Sequence, residues 1–271
     1  MSGIIPRGVR VAAAALAFAI FMSGCSNLLT GNMFTNFDGP PSASELAGRY
    51  GDADDADDFV DAVDDAAGSR RFFDDLSDGD RKELTESLKS VYDDEDVDDE
   101  TRQRAAVLAA DVTLRGADSG ETINNVADVL TSSDGPESFS DPAELMDQII
   151  PDSAKDDPEA IQKILDDMVA AADAYDALGS SLTDEDGDGT VDGPDGTNMT
   201  EVAQKAAVAM VVRNIVEQDK DGSDDLADRI AKGTVGDTSY DDPLDAENSE
   251  GGALKNILDA GGLGGLFDSE A

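Results

Sequence analysis

Histidine and tryptophan are absent from this 271-residue sequence, and cysteine occurs once, at Cys25. Without histidine the chain cannot form a Ser-His-Asp triad, a Cys-His pair or a zinc site of the HExxH type. A single cysteine excludes an intramolecular disulfide and a zinc site built from several thiolates. No Gly-rich loop followed by Lys-Ser or Lys-Thr occurs, so a nucleotide-binding P-loop is excluded. We therefore predict a non-enzymatic protein with no catalytic residues.

Basic residues are also scarce: 19 Lys and Arg stand against 62 Asp and Glu, for a formal net charge of −43. Nucleic-acid binding needs Lys and Arg against the phosphates, so nucleic acid is excluded as a partner. Three explanations of the acid excess stay open: a solvated surface in a salt-adapted organism, a sink for divalent cations, or solubility alone. Hydrophobic residues still make up 39% of the chain, which is enough for a buried core.

The first 25 residues have the order of a secretory signal. Arg7 and Arg10 precede an apolar run, Val11 to Phe21, which is shorter than the roughly 20 residues of a membrane-spanning helix. The run leads into Met22-Ser23-Gly24-Cys25, which resembles the lipobox of bacterial lipoproteins, with Met22 where leucine is commoner. The resemblance implies a signal peptide over residues 1–24 and lipid attachment at Cys25. The alternative is an ordinary signal peptide with a chance cysteine.

A lipidated cysteine would place the protein outside the cytoplasm, anchored in the cell envelope. The acidic body would be repelled by anionic headgroups, so we expect the membrane to be contacted through the lipid on Cys25 alone. The resemblance implies three acyl chains there, which anchor stably where one holds only weakly. Ser26, where inner-membrane retention would need aspartate, implies the outer membrane facing the periplasm if the organism is Gram-negative.

The rest of the sequence predicts an all-α body between a tether and a tail. Residues 25–43 are polar and contain Gly39-Pro40-Pro41, which is typical of a flexible tether. Residues 44–233 carry apolar stripes at helical spacing and no long alternation of period two, which predicts helices only. Residues 234–271 are predicted to be a polar, Gly-rich C-terminal tail with one small helix near Leu254.

Two helices of the body are predicted with particular clarity. Asp157-Pro158 is a helix start signal, and a continuous apolar face follows over residues 158–178 until Gly179, where we expect the helix to end. A second helix starts at Asn198, where Asn-Met-Thr-Glu resembles a capping box. This helix is apolar on more than one side, so we expect it to be central.

An internal repeat relates the two halves of the body. Gln103-Arg-Ala-Ala-Val107 recurs as Gln204-Lys-Ala-Ala-Val208, and Asn125 to Leu130 is answered at nearly the same offset by Asp225 to Ile230. The repeat predicts two related units, residues 76–130 and 158–233, each ordered helix, acidic loop, helix, turn, helix and packed into one helical body. Coincidence among Ala-rich helices is the alternative.

One segment carries a recognisable pattern of metal ligands. From Asp184 the chain reads Asp-Glu-Asp-Gly-Asp-Gly-Thr-Val-Asp-Gly-Pro-Asp, which resembles the calcium loop of EF-hand and dockerin-type proteins. Carboxylates at the first, third and fifth positions can turn towards one hard cation, and the sixth-position glycine permits the sharp bend. The resemblance implies calcium as the cofactor and these ligands: Asp184, Asp186, Asp188, Thr190 through its carbonyl, Asp192 and Asp195.

Two departures from that family predict a weak calcium site. Asp195 stands where the family has a longer glutamate, and Gly193-Pro194 delays the helix that normally begins inside the loop. Extracellular calcium modules work at roughly 0.1–1 mM, which suits a site outside the cytoplasm. The alternative is a solvated acidic linker. The acidic run Asp93 to Glu100 occupies the same place in the first unit but has no glycine, and we interpret it as a solvated link or a nonspecific cation sink.

The leading hypothesis is a lipid-anchored cell-envelope protein whose helical body is stabilised by calcium and has a structural or partner-binding role. The partner, an envelope protein or a ligand, stays unknown. A second hypothesis is a transport-accessory or solute-binding lipoprotein, which a groove lined by Tyr92, Tyr175 and polar groups such as Asn124 and Asn125 would favour. A third is a carboxylate-based hydrolase of envelope polysaccharide, although no pair of acids stands out among the 62.

Overall fold

The computed structural model describes residues 45–46, 55–68, 72–73, 76–116, 122, 125, 146, 148–182, 191–218, 222–232 and 249–263. In these residues the regular structure is helical and contains no strand, which confirms the predicted all-α class. The helices are α1 (Ala56–Ala67), α2 (Asp78–Tyr92), α3 (Asp99–Gly116), α4 (Pro158–Ser181), α5 (Met199–Gln218), α6 (Gly222–Ala231) and α7 (Ser249–Ala260). The predicted signal peptide, Cys25 and the predicted tether lie outside the described residues.

Helix α4 is the central element, because α3, α5, α6 and α7 all pack against it. Its start is the one predicted: the Asp157 carboxylate accepts hydrogen bonds from the backbone N–H groups of Glu159 (3.1 Å) and Ala160 (3.3 Å), and Pro158 opens the first turn. Its apolar residues recur every three or four positions and are buried along its length, among them Ile161, Ile164, Leu165, Met168, Tyr175 and Leu178.

The predicted end of this helix at Gly179 is wrong, because the helix continues to Ser181. Gly179 lies within the helix at the point where α7 crosses it. A Cβ atom at this position would overlap the backbone carbonyl group of Ala253 in α7. The glycine is therefore required by helix packing rather than by a left-handed cap.

Helix α5 is buried on most sides and packs against α4, α6 and α7, but α4 and not α5 occupies the central position that the sequence predicted for α5. Helix α7 in turn packs against both α4 and α5 and buries Ala253, Leu254, Ile257 and Leu258. Residues 249–263 of the predicted tail thus belong to the helical body, which extends beyond the boundary predicted at residue 233. The small helix expected near Leu254 is present.

Two helices of each predicted unit and the last helix of the second unit lie in the described residues, whereas the last helix of the first unit, expected at Asn125 to Leu130, lies outside them apart from Asn125. Helices α2 and α3 form one packed pair and α4 and α5 form another, each joined by an acidic connector. In the first pair the Arg102 guanidinium donates to the carbonyl oxygen of Tyr92 (3.1 Å), which ties the start of α3 to the end of α2. Helix α1 packs on the outside of α3. None of the helices in the described ranges combines the length and the apolar character needed to cross a bilayer.

Candidate metal site between residues 191–198 and helix α3

Four of the six predicted calcium ligands, Asp184, Asp186, Asp188 and Thr190, lie outside the described residues. The other two, Asp192 and Asp195, lie in the connector that leads into α5, and both are exposed. The structure therefore describes the second half of the predicted loop and its surroundings.

The connector turns sharply just before α5. The backbone N–H of Thr197 donates to the carbonyl oxygen of Pro194 (3.2 Å), and Gly196 has a φ of 77°, which favours glycine at this turn position. The Asn198 side chain then accepts from the backbone N–H of Glu201 (3.4 Å), which is one half of the predicted capping box. The local sequence thus explains why Asp195 projects at a turn and α5 begins only afterwards.

The first turn of α3 lies beside this connector. The carboxylate of Asp98 accepts from the backbone N–H of Thr101 (3.0 Å) and caps the helix, and this hydrogen bond lowers the pKa of Asp98. The Gln103 amide donates to the carbonyl oxygen of Ser181 (3.2 Å), near the end of α4. The start of α3 is therefore fixed next to the end of α4, where the predicted loop begins.

These two segments enclose an open cavity of about 220 Å³. Its lining residues are Asp99, Glu100 and Gln103 from α3 and Asp192, Gly193, Pro194 and Asp195 from the connector. Four carboxylates and one amide thus surround a space large enough for several water molecules or a hydrated ion. Asp99 is already paired with Arg102 (3.1 Å), and the repulsion among the other three carboxylates would be relieved by a cation that enters.

The donor chemistry of this cavity fits calcium, which binds carboxylate, carbonyl and water oxygens. Among the described residues, however, no three acidic, histidine or cysteine side chains converge closely enough to hold a metal ion. The described part of the site therefore supplies two of the predicted ligands and an acidic wall. Asp184, Asp186, Asp188 and Thr190 would have to complete the coordination.

The sequence did not predict that Asp99, Glu100 and Gln103 would lie beside the loop. One signal pointed there: the acidic run ending at Glu100 occupies the place in the first repeat unit that the calcium loop occupies in the second. The sequence left two interpretations of that run, a solvated link or a nonspecific cation sink, and the structure puts its last two acids on the wall of the cavity.

Two further charge clusters were not apparent from the sequence. Lys205 of α5 lies 2.8 Å from the carboxylate of Asp111 in α3 and 2.8 Å from that of Glu201, with only 14% of its side chain exposed. Burial lowers the pKa of Lys205, but the two carboxylates raise it by more, so the net direction is upwards. At the equivalent repeat position, Arg104 pairs instead with carboxylates of α1, those of Asp57, Asp61 and Asp64.

The residues proposed to line a solute groove do not form one in the described part of the chain. Tyr175 is fully buried in the core and Tyr92 is 6% exposed. Asn125 donates to the carbonyl oxygen of Ile149 (3.2 Å), and Asn124 lies outside the described residues. The solute-binding hypothesis gains no support from these side chains.

No known protein family matches this chain, and neither a curated protein nor a solved structure shows significant similarity to it. Its function must therefore be inferred from its own residues.

Proposed function

We propose that this protein is a lipid-anchored component of the bacterial cell envelope whose helical body is stabilised by calcium. Its role is structural or consists in binding a partner at the envelope. The anchor is proposed from Met22-Ser23-Gly24-Cys25, and the metal from the carboxylate spacing between Asp184 and Asp195.

The observation that most supports calcium is the position of the connector. Asp192 and Asp195 share a cavity with Asp99 and Glu100 of α3, so the end of the predicted loop adds to a concentration of negative charge. A divalent cation bound in the loop would offset that repulsion. It would also hold the connector between α4 and α5 against the start of α3.

Calcium titration of the full-length chain tests the metal proposal. At constant ionic strength, 5 mM calcium should add about 1.4 kcal/mol of stability for a site with a Kd of roughly 0.5 mM. For a chain of this size the melting temperature should rise by about 3–6 °C. Asp186→Ala and Asp188→Ala should abolish the rise, because each removes a predicted ligand.

The matched control is Glu83→Ala, which removes an exposed carboxylate of α2 outside the cavity and should leave the calcium response intact. Magnesium at the same concentration should stabilise less, because it requires a stricter octahedral geometry. Equal responses to both ions, or a response in Asp188→Ala equal to that of the unchanged chain, would show general screening instead of a site.

The proposed lipid anchor is tested separately, so that it can be rejected without rejecting the proposed calcium site. In a bacterial host, the unchanged chain should incorporate labelled fatty acid and sediment with membranes, whereas Cys25→Ala should lose the label. Ser26→Ala keeps the cysteine and should retain labelling. A chain that is processed and exported without label would contradict the anchor and leave only an ordinary signal peptide.

A further inference from the structure

Asp167 of α4 lies in a charged contact between α4 and α2. Lys163, one turn before it, approaches the carboxylate of Asp78 in α2 at 3.4 Å, and Arg81 of α2 binds the same oxygen at 3.2 Å. Asp78 and Lys163 are largely exposed, whereas the side chain of Arg81 is only 13% exposed. The contact between α2 and α4 therefore has a solvent-exposed edge, at Asp78 and Lys163, and a buried part, at Arg81.

Two complementary polar atoms in this contact lack hydrogen bonds. The Oδ2 atom of Asp167 is buried and has no hydrogen-bond partner, and the same holds for the Nε atom of Arg81. A buried carboxylate oxygen that accepts no hydrogen bond loses its hydration without replacement, which costs free energy while the group is ionised. The cost falls when the carboxyl is protonated.

The charged groups around Asp167 only partly compensate for its burial. Lys163 and Arg81 favour the ionised form, and Asp166 and Asp78 oppose it. Burial is the largest effect, and the balance raises the pKa of Asp167 from 3.8 to about 6. The group thus changes its charge between mildly acidic and neutral conditions.

We propose that Asp167 makes the contact between α2 and α4 sensitive to pH, so that the fold is strengthened under mildly acidic conditions and weakened towards neutrality. The sign follows from proton linkage. Between about pH 4 and pH 6 the folded chain holds a proton at Asp167 that the unfolded chain has released, so stability falls as pH rises through this window. Above this pH window, the loss of stability is complete and no longer changes with pH.

Asp167→Asn tests the proposal because the amide resembles the protonated carboxyl in shape and charge. At pH 7.5 this variant should melt about 2–4 °C above the unchanged full-length chain, and the difference should narrow as pH falls and disappear only below about pH 4. Asp156→Asn is the matched control: it removes one charge from an exposed position outside the charged groups that act on Asp167, and it corrects for the general benefit of reducing a large net charge.

A second measurement does not depend on the variant folding. The carboxyl carbon of Asp167 in the unchanged chain, followed by nuclear magnetic resonance, should titrate with a midpoint near pH 6. A midpoint near 4 would overturn the proposal. So would melting curves in which Asp167→Asn and Asp156→Asn show the same shift at every pH.

Discussion

The Nζ atom of Lys205 lies 2.8 Å from the carboxylate of Asp111, and this ion pair joins α5 to α3 across the interior of the body. Both side chains are mostly buried, at 14% and 21% exposure, so solvent screens the pair little. Glu201 approaches the same ammonium group at 2.8 Å, and Arg115 lies 3.7 Å from Asp111. The pair is thus the centre of a small charged network in which each member has a partner.

Replacing Lys205 with Met should destabilise the fold by about 3 kcal/mol, because the substitution leaves Asp111 largely buried without its main partner. The residual contact with Arg115 keeps the loss at the lower end of the usual range for such pairs. Urea unfolding followed by circular dichroism measures the change. Lys232→Met is the control: its pair with Asp228 is solvent-exposed and should contribute less than about 1 kcal/mol. Equal effects of the two substitutions would contradict the buried network.

Gly179→Ala should destabilise the contact between α4 and α7 by about 1–3 kcal/mol, because the added methyl group collides with the backbone of Ala253. In the Gly179→Ala variant, hydrogen exchange of the α7 amides should become faster, whereas exchange of the α2 amides should change less. Gly252→Ala, in the same helix α7, should give the opposite result. A Cβ there meets no atom within 4 Å, so helix propensity should add about 0.5–1 kcal/mol. Protection of α7 unchanged in Gly179→Ala would disprove the close approach.

Tyr175→Phe should leave the melting temperature unchanged or raise it slightly. The hydroxyl group is fully buried and has no hydrogen-bond partner, so its removal sacrifices no bond. Burial, together with Asp111 and Glu201, raises the pKa of Tyr175 far above its ordinary value, and the ring stays neutral at any physiological pH. Tyr92→Phe is the comparison: its hydroxyl lies 3.4 Å from the ammonium of Lys89, and its loss should cost up to about 1 kcal/mol. A clear loss in Tyr175→Phe would indicate a bonded hydroxyl.

Sodium chloride should stabilise the protein, because the 62 acids repel one another in the folded state more than in the expanded chain. The Debye length falls from about 10 Å at 0.1 M to about 3 Å at 1 M, so the melting temperature should rise across this range. Adding a chelator throughout separates this effect from calcium binding. A melting temperature that is constant or falls with salt would argue against a salt-adapted surface and leave a sink for divalent cations or solubility as the explanation of the charge.

The sequence predicted those features that depend on local pattern. The start of α4 follows from Asp157-Pro158 and the periodic apolar face behind it, which need no information about the rest of the chain. Its end could not be predicted in this way. Glycine usually marks a helix end, but Gly179 is explained by the approach of Ala253, which lies far along the sequence.

The candidate metal site likewise has one part that local sequence predicts and another that depends on the tertiary structure. The carboxylate spacing after Asp184 is a local pattern and predicts calcium ligands, whereas the wall formed by Asp99 and Glu100 exists only because α3 begins beside the end of α4. The internal repeat only partly predicted the position of this wall. It could not predict that Arg104 would pair with α1 while Lys205, its counterpart, would pair with α3.

Helix α7 holds both ends of the connector that joins α4 to α5. The Asn256 amide donates to the carbonyl oxygens of Gly179 (2.9 Å) and Leu182 (3.5 Å), and the Thr200 hydroxyl donates to that of Gly261 (2.9 Å), just after α7. Because these ends are held by the fold, a metal ion bound in the proposed site would not have to supply the entropy of closing the loop, and its affinity would reflect ligand chemistry more directly. The last described helix thus fixes the two ends of a segment that precedes it by about 70 residues.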